Sequence, residues 1–240
     1  MTVESYIVSI VFIFIHLLAD RLIPADRMKR NRWLSFSGGL AVSYVFIYVL
    51  PSLHERQESL EGHLRHFSMA SELYVFSLLG LLLFYGIQTA VDDLKQKRSK
   101  EAAPFFWVQV VFFAIYNMLI AFIIVSAEME GGQAVFYGVA IGFHFVAVAH
   151  ELYQENPKKY QSKGRYVVAS GMVLGSVIGL TLTVPSFIQS IITAFISGAM
   201  IMNVLKHEIP HEKEAHFPAF AIGVIVYMCL TLSLKLLFTW

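Results

Sequence analysis

Long apolar stretches alternate along the chain with short charged ones, and the gaps between successive charges set the scale of the elements. No Asp, Glu, Lys or Arg occurs in residues 33–54, 73–91, 102–127 or 131–150. Each gap is close to the roughly 20 residues a helix needs to cross the hydrocarbon core of a bilayer. Residues 166–205 form a longer charge-free run, about 60 Å as a helix and twice that core. Pro185, in Thr183-Val184-Pro185-Ser186, divides it into a hairpin of two helices. The last run covers 217–238, with Lys235 placed to snorkel. The first, about 5–23, carries His16, Asp20 and Arg21; with Glu4 before it and no small-residue cleavage site, it reads as a helix and not a signal peptide. The pattern predicts an all-α, polytopic membrane helix bundle of eight transmembrane helices. They fall at about 5–23, 33–53, 71–91, 104–126, 132–152, 165–184, 186–206 and 217–238, in a single transmembrane domain over 1–240.

Composition agrees: 57% of residues are hydrophobic, 15% are charged, and the mean hydropathy is +0.62. A soluble domain runs about 45–50% apolar and about 25% charged. The shortage of charge excludes a disordered chain, a nucleic-acid binder and a typical cytosolic enzyme. The net charge of +1 is uninformative, but the placement of the 18 basic residues is not. Arg21, Arg27, Lys29, Arg30 and Arg32 follow the first helix; Lys95, Lys97, Arg98 and Lys100 follow the third. Lys158, Lys159, Lys163 and Arg165 follow the fifth, and Lys206 and Lys213 the seventh, leaving only Arg56, Arg65 and Lys235 for the other side. By the positive-inside rule the basic loops are cytoplasmic and both termini are outside. The single cysteine, Cys229, forbids an intramolecular disulfide and a Cys-based zinc cluster.

The loops are short. The longest, about 52–71, holds His54, His63 and His66, with the last two on one helical face, and reads as a polar amphipathic surface segment or a metal-capturing one. Glu128 and Glu130 make a short acidic turn on the outer side, and the basic run 95–100 suits anionic lipid heads.

Two segments echo each other. Ser37-Gly38-Gly39-Leu40-Ala41-Val42-Ser43 is followed by Pro51 and His54-Glu55; Ser197-Gly198-Ala199-Met200-Ile201-Met202-Asn203 is followed by Pro210 and His211-Glu212. The topology orients the two oppositely, as in the inverted repeat of many secondary transporters, although small-residue pairs also serve generic helix packing. With Val49-Leu50-Pro51 closing the second helix and the Leu/Gly-rich stretch 77–85 in the third, the chain resembles the ZIP (Zrt/Irt-like) family of divalent-metal transporters. The resemblance implies eight helices with both termini outside, and alternating access for a divalent metal of the Zn, Fe or Mn class. Its metal chemistry would sit on the fourth helix, as His-Asn-x-Pro-Glu-Gly, and on the fifth, as His-x-x-Pro-Glu. Here the fourth reads Tyr116-Asn117-Met118-Leu119-Ile120-Ala121 and the fifth His144-Phe145-Val146-Ala147-Val148, so Asn117 and His144 survive without carboxylates or prolines. A dehydrated divalent cation needs anionic or strong nitrogen ligands, so the matching site is expected to be degraded and to bind zinc weakly. Asn117 and His144 are expected to face each other between the two helices.

Ionisable residues at membrane depth are functional candidates. His144 has Glu151 on its helical face, with His150 beside it; His16 and Asp20 share a face of the first helix, and His207 and His211 of the seventh, with Glu208 between them. If their helices converge, His16, Asp20, His150, Glu151, His207, Glu208 and His211 form a cytoplasmic-side cluster of metal ligands. Alternatively they are interfacial residues whose His–Glu pairs bond one another. Three functions fit: a divergent ZIP-like carrier of a divalent cation, a membrane-embedded zinc-dependent lipid hydrolase, or a non-transporting structural or partner-binding subunit. The first is the expectation, with no enzymatic activity. No cofactor is required beyond a divalent cation such as zinc, and the expected partners are the lipid bilayer and a second copy in a homodimer.

Overall fold

The computed structural model describes residues 3–24, 26–61, 71–97, 103–127, 131–209 and 215–238. Among them the regular structure is entirely helical. It consists of α1 (Val3–Leu22); α2, running from Arg27–Tyr44 through a π-turn at Val45–Val49 into Leu50–Glu61; α3 (Glu72–Lys97); and α4 (Ala103–Ser126). Then come α5 (Gly131–Glu155); α6, running from Pro157–Lys159 through a π-turn at Tyr160–Gly164 into Arg165–Thr181; α7, Ser186–Asn203 ending in a π-turn at Val204–Glu208; and α8 (Phe217–Phe238). Helices α2 to α7 are long and apolar enough to cross a membrane, which makes the chain a multi-pass membrane protein by length and composition. The apolar parts of α1 and α8 are shorter, Val3–Leu18 and Phe217–Ser233. Leu78, Leu79, Leu82 and Leu83 of α3 and Ile222, Ile225 and Leu232 of α8 are exposed, an outer surface suited to lipid.

Two helices start well before their apolar runs, because local capping and not hydropathy sets their beginning. The Asp26 carboxylate accepts from the Lys29 N–H at 2.9 Å, so α2 starts in its basic segment. Asn156 does the same for Lys159 at 3.1 Å, with Pro157 in the first turn of α6. The two echoing prolines act oppositely. Before Pro51, Leu50 stays helical (φ −65°, ψ −46°) and its N–H reaches back to the Val45 carbonyl; the widened π-turn accommodates the proline ring, and α2 continues to Glu61. Before Pro210, Ile209 turns extended (φ −74°, ψ 117°) and α7 ends. Of the histidines in the long loop, His54 lies on the α2 extension, exposed, bonding the Tyr74 hydroxyl at 2.9 Å. His63, His66, Glu128 and Glu130 lie outside the described residues.

The helices pair in parallel, and glycines permit it. On α2 and α8, the His216 N–H donates to Ser35 Oγ at 3.1 Å, Gly39 faces the Phe220 carbonyl, and Tyr44 meets Tyr227, so the contact climbs both helices together. A methyl group on Gly39 would collide with that carbonyl, and one on Gly223 with the Phe36 carbonyl. The α3–α7 pair repeats the arrangement, with Gly80 against Phe195 and Gly198 against Ser77. Along α4–α6, Gly171, Gly175 and Gly179 meet Ala114, Met118 and Val125. In α1–α5, a methyl group on Gly138 or Gly142 would lie 3.4 Å from Val8 or 3.2 Å from Ile15, in ordinary or slightly tight contact. These pairs assemble into two bundles: α1, α4, α5 and α6, and α2, α3, α7 and α8. They meet mainly where α2 lies on α5 and α4 on α7. Within the second bundle α2 and α7 run in opposite directions, since Arg30, Leu34 and Gly38 share a cavity with Asn203, His207 and Glu208, whereas Tyr48, Ser52 and Arg56 share another with Thr193, Ile196 and Ser197.

Gly198→Ala should therefore lower the thermal midpoint in detergent, with a stability loss of the ~1–3 kcal/mol that overpacking costs. Gly86→Ala, on α3 with nothing within 4 Å, should leave the midpoint unchanged or raise it.

Candidate functional site

Where the two bundles meet, polar side chains are buried in an apolar surround. His144 on α5 donates from Nδ1 to Glu208 Oε1 on α7, with both side chains almost fully buried. The other ring nitrogen, Nε2, lies 3.3 Å from the Tyr116 hydroxyl on α4. Asn203, on α7, donates from Nδ2 to the same Glu208 oxygen at 3.3 Å. The carboxylate is thus held by an imidazole from one bundle and an amide from its own. The π-turn at Val204–Glu208 makes this possible: the extra residue rotates Glu208 off the face that regular α-helical spacing would give it and turns it into the core.

A second buried pair lies within the first bundle. Asn117 on α4 donates its amide N–H to His16 Nε2 on α1 at 2.8 Å, which leaves the ring proton on Nδ1. Asn117 and His144 therefore both point inward, but not at each other: adjacent residues of α4, Tyr116 and Asn117, take the two histidines separately. Phe145 lies between the histidines, 4.8 Å from the His16 ring and 5.8 Å from the His144 ring.

Nearer the basic loops the expected residues find local partners. His207 Nδ1 lies 3.2 Å from Glu151 Oε1, again joining the two bundles, and its Nε2 is 2.7 Å from Gln88 Oε1 on α3. His150 is 3.4 Å from Gln154 on its own helix. Lys206 pairs with Asp92 at 3.4 Å. His211 lies outside the described residues, as does the side chain of Asp20. His16 is drawn to Asn117 and not to these groups. Among the described residues no three His, Cys, Asp or Glu side chains converge as a metal would require.

A cavity of about 380 Å³ connects the layers. Gln154 and Ile209 at its rim are exposed, Arg30, His150, Glu151 and His207 are half-buried, and Gly38, Val148, Asn203 and Glu208 are buried at its inner end. It enters from the end of the molecule that bears the basic loops. At the opposite end the corresponding space is about 40 Å³, beside Tyr44, Tyr48 and Tyr137. There Tyr44 stacks on Tyr48 at 5.3 Å and meets Tyr137 and Tyr227 edge-on at 6.0 and 6.2 Å. Four buried atoms of the central residues have no hydrogen-bond partner: Glu208 Oε2, Asn203 Oδ1, Asn117 Oδ1 and His16 Nδ1.

Tyr116, Asn203 and Gln88 complete this network without standing out in the sequence as ligands. The available signal for Asn203 and Gln88 is that of an amide set in an otherwise apolar helix. Asn203 also occupies the echo position of Ser43, which is itself buried with an unpartnered Oγ.

A family model described as "Protein of unknown function (DUF3270)" matches residues 88–153, about a quarter of the chain, from the end of α3 to most of α5. That stretch contains Gln88, Tyr116, Asn117, His144, His150 and Glu151. No curated protein and no solved structure matches the chain.

Removing one partner of the buried, hydrogen-bonded His144–Glu208 pair leaves the other unsatisfied in low dielectric, at a cost of about 1–3 kcal/mol and more for a charged group. His144→Leu and Glu208→Leu should each approach that loss in thermal unfolding. The double variant should lose less than the sum of the two, because neither polar group is then left without its partner.

Proposed function

We propose that the chain is a divergent ZIP-like carrier that moves a cation across a membrane by alternating access. In this reading all eight helices cross, both termini are on the non-cytoplasmic side, and the basic-loop end is cytoplasmic. The observation that carries it is Glu208: a buried carboxylate bridged to the opposite bundle by His144, at the inner end of a cavity whose exposed rim includes Gln154 and Ile209. A buried carboxylate at the end of a membrane-length helix is costly, and a binding step for positive charge gives that cost a use. The carboxylate absent from the fourth and fifth helices is supplied from the seventh, by the π-turn.

Two further features support the reading. The echoing segments of α2 and α7 run antiparallel and each leads into a π-turn, as related halves of inverted orientation would. Across the bundle boundary, the polar pairs His144–Glu208 and His207–Glu151 sit among aromatic contacts such as Phe36–Phe143 and Phe84–Phe113. In this reading the polar pairs are the contacts exchanged for contacts with a ligand. In this reading the cavity at the basic end and the tight tyrosine packing at the other correspond to a carrier open to the cytoplasm. A divalent metal is the cargo that the family resemblance implies.

Reconstitution into proteoliposomes tests this. Uptake of a panel of cations (Zn²⁺, Mn²⁺, Fe²⁺ and small organic ammonium ions) should be saturable for at least one of them and lost in Ala147→Phe, which obstructs the cavity wall. If no cation crosses faster than in empty vesicles, the carrier reading fails. Lipid turnover on the same preparation would favour the hydrolase instead.

A further inference from the structure

The inner end of the cavity has a specific chemistry. Glu208 and Asn203 are 5% and 1% exposed, both line the cavity, and each retains one oxygen, Oε2 and Oδ1, with no partner. Both atoms are acceptors, so the pair calls for a donor or a cation. A stripped divalent metal would find a single carboxylate there, already engaged through Oε1 by His144 and Asn203, and among the described residues no third His, Cys, Asp or Glu converges with them. That is too little charge and too few ligands to replace its hydration shell. An ammonium group demands less: its N–H bonds to one carboxylate oxygen and one amide oxygen are charge-assisted. The wall beside them is carbon, supplied by Leu34, Ala147 and Val148, and would cover an alkyl body.

Resting on the carrier reading, we infer that this cavity binds a small primary organic amine, with its ammonium on Glu208 Oε2 and Asn203 Oδ1 and its carbon chain along α2 and α5. Arg30, eight residues before Gly38 and therefore about 12 Å away along α2, lies at the outer part of the cavity.

The test is equilibrium binding of n-butylamine to the full chain in detergent, by calorimetry at neutral pH. Saturable binding with one site is expected. Glu208→Gln and Asn203→Leu should each weaken it about tenfold or more, since a hydrogen bond to a charged group contributes about 1.5–3 kcal/mol. Ala147→Phe, which leaves both oxygens in place, should abolish it, so the inference remains testable if Glu208→Gln fails to fold. Tetramethylammonium, with the charge but no N–H, should not compete. Competition by tetramethylammonium at equal affinity, or amine binding unchanged in Asn203→Leu and Ala147→Phe, would overturn the assignment. Stoichiometric Zn²⁺ binding that needs Glu208, without amine binding, also overturns it and leaves the carrier reading standing. Only the absence of all cation uptake in vesicles removes that reading as well.

Discussion

Helices surrounded by lipid gain nothing from the hydrophobic effect when they pair, because acyl chains are as apolar as leucine; close backbone approach and dispersion must hold them. In this chain that constraint is met by glycines set against partner carbonyls: Gly39 and Gly223 between α2 and α8, Gly80 and Gly198 between α3 and α7, Gly171 and Gly175 between α4 and α6. Each contact is reciprocal or repeated along its pair. The boundary between the two bundles built from these pairs is made largely by side chains.

Polar groups concentrate at that boundary. His144, Glu208, Tyr116 and Asn203 satisfy one another only in part, and the leftover oxygens face the cavity. A half-satisfied buried network is costly in low dielectric. Here it coincides with the place where a ligand arriving from the basic end would stop. At the opposite end tyrosine rings pack tightly, Tyr48 stacked on Tyr44 and Tyr137 and Tyr227 edge-on to it, around a space of about 40 Å³ that Arg56 also lines.

The π-turns show how a small local departure places chemistry. The turn at Val204–Glu208 re-aims one carboxylate and ends α7 before Pro210; the turn at Val45–Val49 lets α2 run through Pro51 to Glu61. The same sequence device, a Ser-Gly segment followed by a π-turn and a proline, therefore yields a stop in one half and an extension in the other. The residue before each proline decides which: Leu50 remains helical, whereas Ile209 turns extended.

Much of the architecture was legible because it depends on sums over many residues. Long charge-free intervals mean helices of membrane length, and the helical class and the multi-pass character follow from them whatever the side chains do in detail. The histidines and the asparagine at membrane depth, His16, His144 and Asn117, stand out for the same reason, and each is buried. The pairing of these residues was not legible. Equal spacing on α4 leaves Tyr116 and Asn117 both able to reach inward, and only the packing of α1 against α5 assigns His16 to one and His144 to the other. Nor does a 3.6-residue period place Glu208 beside His144, since one extra residue in a turn rotates a side chain by about 100°. Sequence periodicity thus determined which segments are helices and how apolar they are; tertiary packing decided which buried polar atoms meet, because that depends on fractions of a helical turn that no sum over the chain retains.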